Sequence, residues 1–206
     1  MSRRVVSCTL DNLDELPIQC RTCVFWELDP ASRERAESAG DPGLEKEAWM
    51  SAVLLEWGSC GNLVQVDGVT AGYLLFAPPA YVPRSVAFPT SPIGSDAVLL
   101  MTARVLPEFA GGGFGRTLVQ SVAKDLSRRG VKAIEAFGDS AWKEPACVLP
   151  TDFLLSLGFK TVRPHPRYPR LRLDLKTTVS LSWREDVEGA LERLLGSVTE
   201  GALRPV

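Results

Sequence analysis

Apolar and polar residues alternate from Arg3 to Leu10, with Val5 and Val6 at the centre, and the run stops at Asp11-Asn12. Alternation ended by turn formers predicts a first strand. A short helical segment is expected from Asp14, followed by a stretch over 20–28 that sets Phe25 and Trp26 beside Glu27. Residues 29–43 are polar, close on Pro and Gly, and read as a loop. Leu44, Ala48, Ala52 and Leu55 recur at helical spacing, so 44–57 reads as a helix with that face turned inward. The apolar runs 62–66 and 71–76 flank Asp67-Gly68, a dipeptide that favours a tight hairpin turn.

Five prolines between 78 and 92 interrupt the pattern. Proline removes a backbone donor and fixes φ, so this segment is expected to be an ordered, irregular excursion of the kind that can cover a functional site. A buried strand follows over 97–105. Residues 115–129 give the clearest helix, with Leu118, Val119, Val122, Ala123 and Leu126 as its apolar stripe and Gly130 as its stop. A strand over 131–137, a short helix over 152–157 and a strand over 171–175 come next. Ser182-Trp183-Arg184-Glu185 is a capping-box pattern that opens a last helix through Leu195. Hairpin and strand–helix–strand units in one chain predict an α/β (α+β) domain.

Composition adds boundaries. The 206 residues carry 23 Lys+Arg against 25 Asp+Glu, and 45% are hydrophobic. Such a chain can bury a core, and its net charge of −2 lacks the basic excess of a nucleic-acid binder. No run approaches the ~20 apolar residues of a membrane helix, and the N-terminus has no apolar core of a signal peptide. The expected compartment is the cytoplasm, with reduced thiols. Cysteines stand at 8, 20, 23, 60 and 147, an odd number. Cys20 and Cys23 have metal-ligand spacing, but no second pair completes a four-ligand site and His165 is the one histidine, so no metal is expected.

The sharpest chemistry is in Val105-Leu106-Pro107-Glu108-Phe109-Ala110-Gly111-Gly112-Gly113-Phe114-Gly115-Arg116. Four glycines join a buried strand to the clearest helix. Glycine permits close approach, and free helix N-terminal amides attract anions, so the segment reads as a phosphate cradle with Arg116 as an added cation. A Walker loop needs a Lys that is absent here, and a dinucleotide fingerprint needs a Gly at 116. A plain glycine-rich turn is the remaining alternative.

The strand, Val-x-Pro-x-aromatic and Gly-x-Gly-x-Gly-Arg opening an amphipathic helix resemble the acyl-CoA-binding motif of the GCN5-related N-acetyltransferases. Phe153-Leu154-Leu155-Ser156-Leu157-Gly158-Phe159 is similar to that family's later helix ending in Leu-Gly-Phe. The resemblance covers roughly residues 3–177, making 1–177 one acyltransferase domain. Residues 178–206 are then a C-terminal helical extension, packed on the domain or on a second subunit of a homodimer.

The resemblance implies a mixed, mostly antiparallel sheet flanked by helices and splayed between its fourth and fifth strands. It implies acetyl-CoA or another acyl-CoA as co-substrate, with the pantetheine arm on Ala103, Arg104 and Val105. The pyrophosphate would rest on the amides of Gly111, Gly112, Gly113, Phe114, Gly115 and Arg116. An amine acceptor would attack the thioester directly, with no metal, nucleic acid or membrane involved. The family's usual Tyr acid corresponds to Leu154 here and its frequent Asn to Cys147. Cys147, Glu135 and Glu27 are therefore the candidates for proton transfer, with Tyr73 and Tyr81 as further acids. A catalytically silent acyl-CoA-binding protein on the same fold is the alternative function.

Overall fold

The computed structural model describes residues 2–143 and 146–175. Eight strands form one sheet among them: β1 (Arg3–Ser7), β2 (Gly61–Val66), β3 (Val69–Ala77), β4 (Ala97–Val105), β5 (Ala133–Asp139), β6 (Leu149–Pro150), β7 (Lys160–Arg163) and β8 (Arg170–Asp174). Their spatial order is β1-β2-β3-β4-β5-β8-β7, with β6 beside the end of β5. Within that row only β4 and β5 run parallel. The β2–β3 hairpin turns at Asp67 and Gly68 with φ of 48° and 85°, the left-handed conformation expected of that dipeptide.

Alternation along the strands divides the apolar residues between two faces. Leu74, Phe76, Val98, Leu100, Ile134 and Ala136 meet Leu118, Val119, Val122 and Leu126 of α4 (Phe114–Arg128), and Leu154 of α5 (Thr151–Ser156). The stripe expected for the clearest helix is therefore the stripe that packs. On the other face Leu63, Tyr73, Leu75, Leu99, Met101 and Phe137 meet Trp26, Phe88, and Met50 and Val53 of α3 (Pro42–Trp57).

The N-terminal half departs from expectation. After α1 (Ile18–Arg21), residues read as loop form α2 (Pro30–Ala39). Asp29 caps it, accepting from the amides of Ala31 and Ser32 at 3.0 and 3.1 Å, and Gly40 ends it at φ 81°. The helix has no apolar residue larger than Pro30 and its alanines and buries only Ala36, so apolar periodicity could not reveal it. Helix α3 is rotated from the expected face: Leu44 and Leu55 are 61% and 88% exposed, while Lys46, Met50 and Val53 are buried. A lysine within the true stripe concealed that stripe.

The proline-rich segment is an ordered excursion, but it does not border the cleft described below. Phe88 stacks on both Trp26 and Phe137 at centroid distances of 5.2 and 4.3 Å, and Val82 is buried, so the segment covers the second core. The expected extension at 178–206, with its helix over 182–195, lies outside the described residues.

The phase of β5 settles Glu135. Its side chain points to the same face as Phe137, where Arg170 and Arg172 clamp its two oxygens at 2.6 and 3.1 Å and the Gly94 amide donates to it at 3.1 Å. A carboxylate so occupied ties β5 to β8. Glu135, expected as a candidate for proton transfer, does not line the cleft; both of its oxygens are engaged in this clamp. Glu135→Gln keeps the shape and removes the charge, and should cost about 2 kcal/mol in urea unfolding. An unchanged midpoint would show the clamp to be inert.

Candidate active site

Strands β4 and β5 pair only where Ala97–Leu99 meet Ala133–Glu135. Beyond Leu99, β4 stays with β3 as far as Val105, while β5 follows β8. The register of β4 slips between the pairs Phe76–Leu100 and Leu75–Thr102, leaving Met101 as an extra residue that bends the strand. A cleft of about 510 Å3 opens in the wedge. Thr102, Ala103, Arg104 and Val105 form one wall, Val148, Leu149 and Pro150 the other, and Phe153 and Gly115 border one part of it. Among the described residues the pairing of β4 with β5 ends at Leu99, so an extended ligand can pair with β4 beyond that point as a strand would.

Gly115 belongs to the first turn of α4, so the glycine loop adjoins the cleft. Gly111 and Gly113 have φ of 77° and 75°, and Gly113 caps the helix without a side chain. The first-turn amides of Phe114, Gly115 and Arg116 thus meet no side-chain cap at the positive end of a 15-residue helix. A Cβ at Gly112 would fall 2.4 Å from the Phe114 ring, which would have to move, and one at Gly115 would press on the Phe153 ring at 3.0 Å. Gly111, Gly112, Gly113, Phe114 and Arg116 do not line the cavity itself; they form the loop and helix start beside it. The Arg116 guanidinium donates to the Ser156 carbonyl at 3.1 Å, bracing α5 against α4 instead of turning into the loop.

Polar chemistry gathers at the cleft wall formed by 19–27. Cys23 and Cys147 are 3.4 Å apart, sulfur to sulfur, and both line the cavity. The contact with Cys147, in which either sulfur can donate, lowers the Cys23 pKa to about 6 against the opposing effect of burial, with the Phe25 amide assisting. The same contact, with burial, pushes the Cys147 thiol well up, so its proton stays on sulfur. The contact thus favours the thiolate at Cys23 and the thiol at Cys147. Trp26 Nε1 donates to the Cys147 carbonyl at 3.0 Å and fixes that segment.

Glu27 also lines the cleft, buried and ion-paired with Lys46. Its other oxygen accepts from the Trp26 amide at 3.1 Å. Lys46 further donates to the Cys23 carbonyl at 3.1 Å. Tyr73 faces the same space, and burial with a contact to Cys20 keeps its hydroxyl protonated. Tyr81 lies away from the cleft and donates to Glu56 at 2.7 Å. Leu154, at the position where the resemblance places a Tyr, is fully buried in the first core.

Of the residues read from sequence, Ala103, Arg104, Val105, Gly115, Cys147 and Glu27 share one cleft. Sequence reasoning missed Lys46 and the partnership of Cys23 with Cys147. Nothing local signals a contact across 124 residues; Lys46, four residues before Met50 on one helix face, left a trace. Among the described residues, no cluster of three or more His, Cys, Asp or Glu is placed to hold a metal, and no helix is long and apolar enough to cross a membrane.

No protein-family profile and no curated protein sequence matches the chain. Solved structures do. The PaiA N-acetyltransferase of Thermoplasma acidophilum, solved in complex with coenzyme A, superposes with a TM-score of 0.57 at 12% identity, over 84% of this chain and 99% of that one. An N-acetyltransferase from Staphylococcus aureus Mu50 gives 0.54 at 13% identity, over 85% and 99%. A protein ascribed to the GNAT family from Desulfovibrio desulfuricans gives 0.52 at 17% identity, over 84% and 99%. With strands that part at β4 and β5 and a glycine loop opening α4 beside the gap, the chain has the fold of the GCN5-related N-acetyltransferases.

Proposed function

We propose that this protein is an acyl-CoA-dependent N-acyltransferase that moves an acetyl group from acetyl-CoA to an amine. The carrying observation is the junction of an open β4 edge with an uncapped helix N-terminus: one suits a pantetheine arm, the other a pyrophosphate. In this reading Ala103–Val105 pair with the arm, and the amides of residues 111–116 receive the phosphates. The solved neighbour holding coenzyme A supports the same ligand class.

An ammonium with a pKa of roughly 10 must lose a proton before it attacks the thioester. A base poised near the working pH is most effective. The Cys23–Cys147 pair meets that condition, with Cys23 accepting the proton and Cys147 stabilising the thiolate beforehand. Cys147 thus acts through Cys23 instead of giving up its own proton. Glu27, held by Lys46 and the Trp26 amide, fixes charge in the cleft wall. The neutral amine attacks the acyl carbon and the adduct releases its second nitrogen proton to water; the carbon–sulfur bond breaks, and the proton held by Cys23 passes to the departing coenzyme A sulfur.

The test is thiol release from acetyl-CoA with a panel of polyamines, amino acids and peptides. Turnover above hydrolysis with at least one acceptor supports transfer. With that acceptor, kcat should fall about tenfold per pH unit below 6, because protonated Cys23 cannot accept a proton. Cys23→Ser should abolish that limb, and an unchanged profile would remove Cys23 from the reaction.

One observation favours a second reading. Leu154 packs in the core where the resemblance expects an acid, consistent with a silent acyl-CoA-binding protein. Saturable acetyl-CoA binding with no productive acceptor in the panel would select it.

A further inference from the structure

Three of the five cysteines, Cys20, Cys23 and Cys147, line one cleft, and two of them touch. Cys8 and Cys60 are a separate and fully buried pair, the Cys60 thiol donating to the Cys8 carbonyl at 3.8 Å. The cleft pair is half-buried and open to small molecules entering the wedge. Neither cysteine sits in a helix or strand: Cys23 follows α1, and Cys147 precedes β6.

We propose that Cys23 and Cys147 form a peroxide-reactive dithiol site, at which Cys23 is oxidised first and Cys147 closes an intramolecular disulfide across the cleft wall. Their sulfurs, 3.4 Å apart, need to approach by only about 1.4 Å to reach bonding distance. Lys46 donates to the Cys23 carbonyl, and Arg33 is close enough to favour a negative charge on the sulfur pair. Glu27 is the opposing charge, and Lys46 pairs with it. The site therefore favours a thiolate at Cys23 and a reserve thiol at Cys147.

The chemistry balances in two steps. The Cys23 thiolate attacks one peroxide oxygen, the oxygen–oxygen bond breaks, and the departing hydroxide takes a proton to become water, leaving a sulfenic acid. The Cys147 sulfur then attacks the Cys23 sulfur and loses its proton, and the sulfenic oxygen leaves as a second water. Two thiols and one hydrogen peroxide give one disulfide and two waters. The disulfide removes the Cys23 thiolate from the cleft. Its effect on acyl transfer rests on the function proposed above; the disulfide itself does not.

The experiment treats the reduced, folded chain with one equivalent of hydrogen peroxide at neutral pH, followed by intact-mass and peptide mapping without reduction. The expected result is the loss of two hydrogen atoms, a Cys23–Cys147 cross-linked peptide, and full reversal by dithiothreitol. Cys147→Ser keeps a hydrogen-bond donor, so Cys23 should react and stop at a sulfenic acid that dimedone traps. Cys147→Ala removes the donor and should slow the first step several-fold, the loss of thiolate outweighing the gain in intrinsic nucleophilicity. A cross-link through Cys20, a wild-type product that stops at sulfenic or sulfinic acid, or an unreacted chain would each overturn the proposal. Coenzyme A affinity of the reduced protein is measured separately, so failure of the disulfide and failure of the acyltransferase reading are distinguishable.

Discussion

Gly113→Glu should weaken coenzyme A binding by about 100-fold or more while the chain still folds. Gly113 has φ of 75° and caps α4, and an added Cβ meets nothing within 4 Å, so no collision forces the loop open. Leaving glycine in the left-handed region costs about 1–2 kcal/mol of stability. The larger effect is electrostatic. A carboxylate at the cap satisfies the first-turn amides and repels the incoming pyrophosphate. A like charge at about 4 Å near a protein surface opposes binding by up to about 4 kcal/mol before salt screening, and about 100-fold in Kd corresponds to roughly 2.7 kcal/mol. Gly113→Ala carries the same backbone strain without the charge and should bind coenzyme A within several-fold of wild type. Equal losses in the two variants would mean that strain, and not anion binding, explains the glycine.

Lys46→Met should be the most destabilising single change in the cleft wall. Both side chains of the Lys46–Glu27 pair are almost wholly buried, at 3% and 2% exposure. Removing the ammonium strands a carboxylate away from water and costs about 3–5 kcal/mol, against a total stability of about 5–15 kcal/mol for a typical domain. The pair as a whole contributes much less, because desolvating two charges offsets most of their attraction. Lys46→Met combined with Glu27→Leu should therefore recover most of the loss in urea unfolding. A single Lys46→Met variant as stable as wild type would show that Glu27 is not buried as a charge.

The parts of this molecule legible in the sequence are those where local pattern and tertiary packing agree. Leu118, Val119, Val122 and Leu126 repeat at helical spacing and pack together, and Asp67-Gly68 turns as its conformational preference requires. The glycine loop was legible because few other contexts need three consecutive glycines before a helix. Helix α2 was hidden because its end signals, Asp29-Pro30 and Gly40, surround a sequence with no apolar stripe. The face of α3 was misread because a buried lysine occupies its inner row, and that lysine is tolerated only by Glu27, a residue remote in sequence. The placement of Glu135 is not legible because strand phase decides between cleft and clamp, and local sequence leaves the phase of one buried strand open. The Cys23–Cys147 contact spans the chain and has no local signature at all.

The cleft between β4 and β5 is the centre of the functional reading, and calorimetry addresses it directly. Titrating acetyl-CoA into the reduced protein should give saturable binding at one site per chain, with Gly113→Glu lowering the affinity by about 100-fold or more. Heats that never saturate, or equal affinity in wild type and Gly113→Glu, would contradict the assignment of this cleft and its glycine loop to an acyl-CoA.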